Sequence, residues 1–228
     1  MVYNFLKINF SSQELWLLTE KCIWWPKTSS LIVSDLHLGK GISFTSRNVY
    51  LPPYDIQETL GKLKILVDKL EPQRVICLGD NFHRSNSYSN FEEQEKDLIA
   101  SLIKSVPRWC WIYGNHDYEL PAGLEGEKLR FIKEKTIEFH HSLDNYTEGN
   151  AFIIGHYHPK YTLNLKKTVI RKPCFAWNKN ILIMPSFGTY TGGLDVHHSA
   201  ITHILGQRFS IAVADTNPVP IQFYLDLS

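Results

Sequence analysis

Residues 31 to 41 read Leu31-Ile32-Val33-Ser34-Asp35-Leu36-His37-Leu38-Gly39-Lys40-Gly41. The opening run, Leu31 to Val33, predicts a strand buried on both faces, since a strand covered on one side alternates apolar with polar. It ends in an aspartate and a histidine two positions apart, and positions i and i+2 share a face of an extended chain. Asp35 and His37 then point the same way at the strand's C-terminal edge. A carboxylate oxygen beside an imidazole nitrogen is a donor set for zinc, manganese or iron. One Asp-x-His pair is weak evidence, because turns carry such pairs for many reasons.

Four later stretches repeat the layout: Gly79-Asp80-Asn81-Phe82-His83, Gly114-Asn115-His116-Asp117, Phe139-His140-His141 and Gly155-His156-Tyr157-His158-Pro159. Apolar runs precede three of them directly: Arg74 to Leu78, Arg108 to Tyr113 and Ala151 to Ile154. The run before His140, Thr136 to Phe139, alternates and is the weakest strand of the set. Strand ends carrying Asp, His and Asn gather polar ligands at one sheet edge, where open α/β sheets place their sites.

The 228 residues fit one domain spanning the whole chain, with a substantial core. Apolar content of 43% and charged content of 21% match an ordinary globular protein, and a net charge of +1 gives no global field for DNA or membrane. Cys22, Cys77, Cys110 and Cys174 are far apart, with Cys77 and Cys110 inside expected strands, so buried free thiols are expected. The first residues lack a basic segment followed by an apolar one, and no apolar run approaches the ~18 residues of a membrane span. A cytoplasmic protein without membrane association is expected.

Residues 1 to 30 predict two or three short strands, with Trp24 and Trp25 packing in the core or at the sheet edge. Residues 39 to 54 read as a loop with Lys40 and Arg47, placed where substrate contacts arise. Ile56, Leu60, Leu63, Leu66, Val67 and Leu70 recur at helical spacing, with Asp55 as cap and Pro72 beyond the end. Strand, crossover helix and strand make a βαβ unit feeding parallel strands. A second helix carries Leu98, Leu102 and Ile103 inward and stops at Pro107. After residue 161 the pattern is β throughout: Tyr161 to Leu165, Thr168 to Ile170, Cys174 to Trp177, Ile181 to Met184, Ala200 to Leu205, Ile211 to Val213 and Ile221 to Leu225. Asn178-Lys179-Asn180 predicts a hairpin. The assembly expected is an α/β protein of two mixed sheets packed together with helices outside.

Asp35, His37, Asp80, Asn115, one of His140 and His141, His156 and His158 make seven candidate ligands. That is too many for one tetrahedral ion but suits two adjacent ions sharing a carboxylate. Asp80, on a central strand, is the bridging candidate. His116 then stands one residue from the ions, placed to protonate a departing alkoxide with Asp117 orienting its other nitrogen. Lys40, Arg84 and His83 are candidates for contact with a phosphate. Asp195, His197 and His198 read as surface loop. Gly188, Gly192 and Gly193 suggest close backbone approach, since no Gly-Lys-Ser/Thr follows to make a P-loop.

Asp35-x-His37, Gly79-Asp80, Gly114-Asn115-His116-Asp117, His140 and Gly155-His156-x-His158 resemble, in that order, the pattern of the calcineurin-like metallophosphoesterases. The resemblance implies a four-layer αββα sandwich. It implies one metal on Asp35, His37, Asp80 and His158, another on Asp80, Asn115, His140 and His156, and His116 aiding catalysis. Of the two adjacent histidines His140 is favoured, as the first residue after the expected strand. Asp35-Leu36-His37-Leu38-Gly39-Lys40, Gly79-Asp80-x-Phe82-His83, Arg171-x-Pro173-Cys174-Phe175 and Pro185-x-Phe187-Gly188-x-Tyr190-Thr191-Gly192-Gly193 are similar to the ligase-associated DNA damage response endonucleases and their relatives. Asn81 departs from that subgroup, where an apolar residue is common. The function implied is hydrolysis of phosphodiesters by two divalent ions, with manganese expected and iron or zinc as alternatives. DNA is the expected substrate and repair proteins, including a ligase, the expected partners. A phosphomonoesterase and a metal-containing repair partner without activity are the competing readings.

Overall fold

The computed structural model describes residues 4–41, 54–143, 149–165, 168–214 and 222–226. Most of the expected substrate loop between Gly39 and Tyr54, Arg47 included, lies outside the described residues. The first half of the chain runs β1 (Phe5–Phe10), β2 (Gln13–Leu18), β3 (Ile23–Trp25), β4 (Ser30–Val33), α1 (Asp55–Leu70), β5 (Arg74–Leu78), α2 (Glu93–Lys104) and β6 (Arg108–Ile112). Then come β7 (Glu127–Leu129), β8 (Ile132–Glu134), β9 (Ile137–His140), β10 (Ala151–Ile154), β11 (Lys160–Leu165) and β12 (Thr168–Trp177). The last elements are β13 (Ile181–Ile183), α3 (Ser199–Leu205), β14 (Arg208–Val213) and β15 (Gln222–Asp226).

One sheet has the order β1-β2-β3-β4-β5-β6-β7, and the other β15-β14-β12-β13-β10-β9-β8 with β11 beside β12. Strands β4, β5 and β6 are mutually parallel, as are β9, β10 and β13. The βαβ unit is as expected from the sequence.

The layering follows from strands that are apolar on both faces. Leu31, Val33, Val75, Cys77, Trp109 and Trp111 turn to α1 and α2, meeting Leu60, Leu63, Leu102 and Ile103. Their alternates, Ile32, Ile76, Cys110 and Ile112, meet Ile137, Phe139, Ile153 and Met184 of the second sheet. Phe152, Ile154, Ile181 and Ile183 complete the second sheet's outer face against Ile201 and Leu205 of α3. The result is the αββα sandwich. All four cysteines are free and buried, Trp25 is fully buried and Trp24 packs on the helix-side core. Among the described residues no helix is long and apolar enough to cross a membrane.

Two local expectations change. Ala200 to Leu205 belongs to a helix: the His198 side chain accepts the Ala200 N–H, and Ile201 and Leu205, four apart, bury against the sheet. Asp55 begins α1 without capping it, because its carboxylate accepts the Lys40 N–H at 2.8 Å. Leu129 and Ile132 lie in two short strands, β7 and β8. The hairpin at Asn178 forms, its Oδ1 accepting the N–H groups of Asn180 and Ile181 at 2.9 and 2.8 Å.

Phe139 is fully buried between the sheets, with its ring 5.9 Å from that of Trp25. Phe139→Ala should lower unfolding free energy by about 3–5 kcal/mol in urea titration. Ile65→Ala, on the exposed face of α1, should change it by no more than about 0.5 kcal/mol.

Candidate metal centre

Five strands deliver the site. Asp35 and His37 follow β4, Asp80 follows β5, Asn115 and His116 follow β6, His141 follows β9, and His156 and His158 follow β10. The C-terminal edges of the two sheets meet here. Asp35, His37 and His158 present ligand atoms within 4.8 Å of one another, and so do Asp80, His141 and His156. A third group joins His37, His83 and His116. Asp80 lies between the first two groups, with Oδ1 3.3 Å from His141 Nε2 and Oδ2 3.8 Å from His37 Nε2.

The backbone bends hard to achieve this. Asp35, His37, Asp80, His156 and His158 all have φ between 46° and 69°, a region costing non-glycine residues roughly 1–3 kcal/mol each. Close packing leaves no space beside them. A Cβ on Gly155 would fall 2.0 Å from Ser34 Oγ and 2.5 Å from Asp35 Oδ2, and one on Gly114 would fall 2.1 Å from the Asp80 nitrogen. The segment after β13 braces Asp35: Ser186 Oγ donates to its carbonyl at 2.7 Å and the Gly188 N–H does so at 3.2 Å. A Cβ on Gly188 would meet the Leu36 carbonyl at 2.3 Å, and one on Gly193 the His158 carbonyl at 2.1 Å. Close approach is therefore the role of these two glycines, while Gly192 stands in open space.

The charge state suits a cation. Burial works against ionisation of Asp35, but His158, His141 and His37 outweigh it and hold the carboxyl below its ordinary range. Asp80 is depressed in the same way, with His141 opposing the burial. Burial pushes His37 down to about 3, so its imidazole is neutral, and burial with His141 nearby also lowers His156. Burial would lower His141 too, yet Asp80 and Asp35 raise it to about 9. A proton on His141 therefore balances two buried carboxylates, a place a metal ion can take.

The donor set fits a divalent metal on two further counts. Both ring nitrogens of His37 are buried without a hydrogen-bond partner. His141 Nδ1 lies 2.9 Å from the Leu78 carbonyl, to which it donates, leaving Nε2 to face Asp80 and, at 3.2 Å, His156 Nδ1. Fixing one imidazole nitrogen on a carbonyl so that the other offers a lone pair is the usual support for a metal-binding histidine.

Two expectations need correcting. His140 does not join the cluster: it is the last residue of β9, and strand alternation sends it outward with Glu138. There its Nε2 meets Glu138 at 3.0 Å and its ring stacks on Phe131 at 5.0 Å. His141, the first residue beyond the strand, takes the inward place. Asp117 does not orient His116. Its buried carboxylate accepts from Gly114 N at 2.9 Å, Asn81 N at 2.7 Å, Asn81 Nδ2 at 2.9 Å and Phe82 N at 3.2 Å, latching the turns after β5 and β6 together. Burial raises Asp117 to about 6 against the hydrogen bonds from Asn81. Asn81 is thus explained, since its Nδ2 also donates to the Ile112 carbonyl.

His116 Nδ1 instead meets the His83 carbonyl at 2.9 Å, leaving Nε2 4.0 Å from Asp80 Oδ2. Its backbone N–H donates to Asp80 Oδ1 at 2.8 Å. Asn115 is exposed on the same turn, His83 is half-buried beside His37, Lys40 is half-buried before α1, and Arg84 is exposed on the loop after His83. Asp195 binds His197 and Thr162 and stays outside the cluster.

Two sheets presenting imidazoles and carboxylates at facing edges define a metallohydrolase site. The calcineurin-like phosphoesterase family matches residues 29–202, and the chain belongs to it. It is a metal-dependent phosphoric ester hydrolase, from a family that uses two metal ions. The chain is similar to the crystal structure of Pseudomonas putida nuclease MPE, with a TM-score of 0.75 at 24% identity over 96% of this chain and 100% of that one. That likeness carries the fold. No curated protein sequence matches the chain.

Calorimetric titration with manganese separates the two adjacent histidines. His141→Ala should weaken binding by about 100-fold or more, beyond what loss of a supporting hydrogen bond does. His140→Ala should leave it within error of wild type; the reverse order would contradict the assignment.

Proposed function

We propose that the chain is a phosphodiesterase that uses two divalent ions, manganese in its working form, to cut nucleic acid in DNA repair. The observation that carries this reading is Asp80, whose two oxygens border both His/Asp groups. In this reading Asp35, His37 and His158 hold one ion, Asn115, His141 and His156 hold the other, and Asp80 belongs to both. Ions so held would polarise the phosphoryl oxygens and acidify a water for in-line attack.

The protein's own part begins with His116. Donation from Nδ1 to the His83 carbonyl fixes the ring, and its half-exposed side chain leaves Nε2 open to substrate. His116 gives its Nε2 proton to the leaving oxygen. The Ser85 hydroxyl, donating to the His116 carbonyl at 3.3 Å, steadies the turn. Asp117 keeps the same turn in place through Gly114 and Asn81 and touches no substrate.

A strand needs room on both sides of the scissile phosphate, and a monoester on only one. A depression of about 790 Å³ adjoins the site through Gly114 and Ser85 and carries Tyr113, Tyr118 and Arg130. Tyr118 is 70% exposed, which suits stacking of a base. A second recess opens on the other flank, at His158. With a net charge of +1, affinity comes from such local contacts. The fold shared with the Pseudomonas putida nuclease and the motifs similar to ligase-associated repair endonucleases support DNA as substrate, with repair proteins including a ligase as partners.

Manganese-reconstituted protein should hydrolyse bis(p-nitrophenyl) phosphate and single-stranded DNA, and chelation should abolish both. His116→Ala should keep its metal and lose about 10²–10⁴-fold in kcat on the diester. Turnover of p-nitrophenyl phosphate alone would instead make the protein a phosphomonoesterase.

A further inference from the structure

The recess at His158 holds polar groups to which the proposed chemistry gives no role. It measures about 120 Å³ and is lined by Lys21, His158, Lys160, Ser186, Thr189 and Thr191, with Pro159, Pro173, Gly188 and Gly192 closing it. By volume it holds on the order of four waters, room for one phosphate group. Because His158 forms part of its wall, the cavity opens directly beside the Asp35–His37–His158 group.

Its two lysines come from distant parts of the chain. Lys21 sits in the β2–β3 turn and Lys160 opens β11, and both are half-buried. Lys21 Nζ donates to the carbonyls of Phe187 at 2.8 Å and Gly188 at 3.4 Å, and Lys160 Nζ donates to Thr191 at 3.2 Å. An ammonium carries three N–H groups, so each lysine retains at least one donor. Among the described residues neither has a carboxylate partner.

Bracing the 187–192 segment by its carbonyls would require donors but no charge. The charge is nonetheless concentrated here. Lys62 and Lys160 are near enough to act on Lys21, and Arg171 and Lys40 on Lys160. Among the described residues, the short-range ion pair of this set is Lys62 with Glu58 at 2.7 Å. Glu58 acts on Lys21 and Asp55 on Lys40, so the cations around the recess outnumber the carboxylates near them, which favours an anion there.

We propose that this cavity is the subsite for a second phosphate, the neighbour of the scissile phosphodiester along a nucleic-acid strand, held by Lys21 and Lys160. The proposal rests on the nucleic-acid reading above. It assigns the two lysines to recognition of a polymer, since a lone phosphate ester would leave the cavity unfilled.

The test uses the manganese-loaded full chain with the dinucleotide TpT, its 5′-phosphorylated form and its 3′-phosphorylated form. Wild type should favour one phosphorylated form over TpT by about tenfold or more in kcat/KM, through KM, as expected for charge-assisted hydrogen bonds. In Lys21→Gln/Lys160→Gln, whose amides still donate to the loop carbonyls, that preference should fall to about one. Either single variant should reduce it should the double variant fail to fold. Equal kinetics on all three in wild type, or a preference that survives both substitutions, overturns the subsite and leaves the nuclease reading standing. Failure to cleave any of them by protein that still hydrolyses the aryl diester overturns both.

Discussion

Two buried carboxylates govern this structure. Asp35 is fully buried and Asp80 is 3% exposed, both at the facing edges of the two sheets. Charge removed from water this completely requires compensation, and the protein supplies it in layers. Backbone N–H groups of His156 and His116 and the hydroxyl of Ser34 donate to the carboxylates, and imidazoles crowd around them. The orphaned nitrogens of His37 show that this hydrogen bonding is incomplete, as expected of groups arranged for a cation.

The sandwich exists to hold that edge. Apolar residues on both faces of β4, β5, β6 and β10 give each strand two packed sides, which fixes the turn where the chain leaves it. Left-handed backbone at five candidate ligand positions is tolerated because the surrounding layers over-determine it. Asn81 and Asp117 add a latch between neighbouring turns, which ties Asp80 and the candidate acid His116 into one hydrogen-bonded unit.

Much of this was legible before any coordinates. Asp35, His37, Asp80, His156 and His158 each follow a continuous apolar run that ends abruptly, so the strand and its polar terminus read together. His140 and His141 did not separate, because Thr136 to Phe139 alternates and gives no sharp end. A strand boundary is uncertain by a residue or two, and with a period of two a single-residue error exchanges inside for outside. Asp117 sits beside His116 in sequence, yet its partners Asn81 and Phe82 are 36 and 35 positions away, which no local pattern reports. Lys21 was invisible for the same reason, since its contact with Phe187 spans 166 positions. Ala200 to Leu205 is a short apolar run of the kind that strand and helix share.

The measurement that bears most directly on the site is anomalous scattering from manganese-soaked crystals. Two peaks should appear, one among Asp35, His37, Asp80 and His158, the other among Asp80, His141 and His156, with Asp80 contacting both. A single peak, or density at His140 in place of His141, would contradict the two-ion assembly built on Asp80.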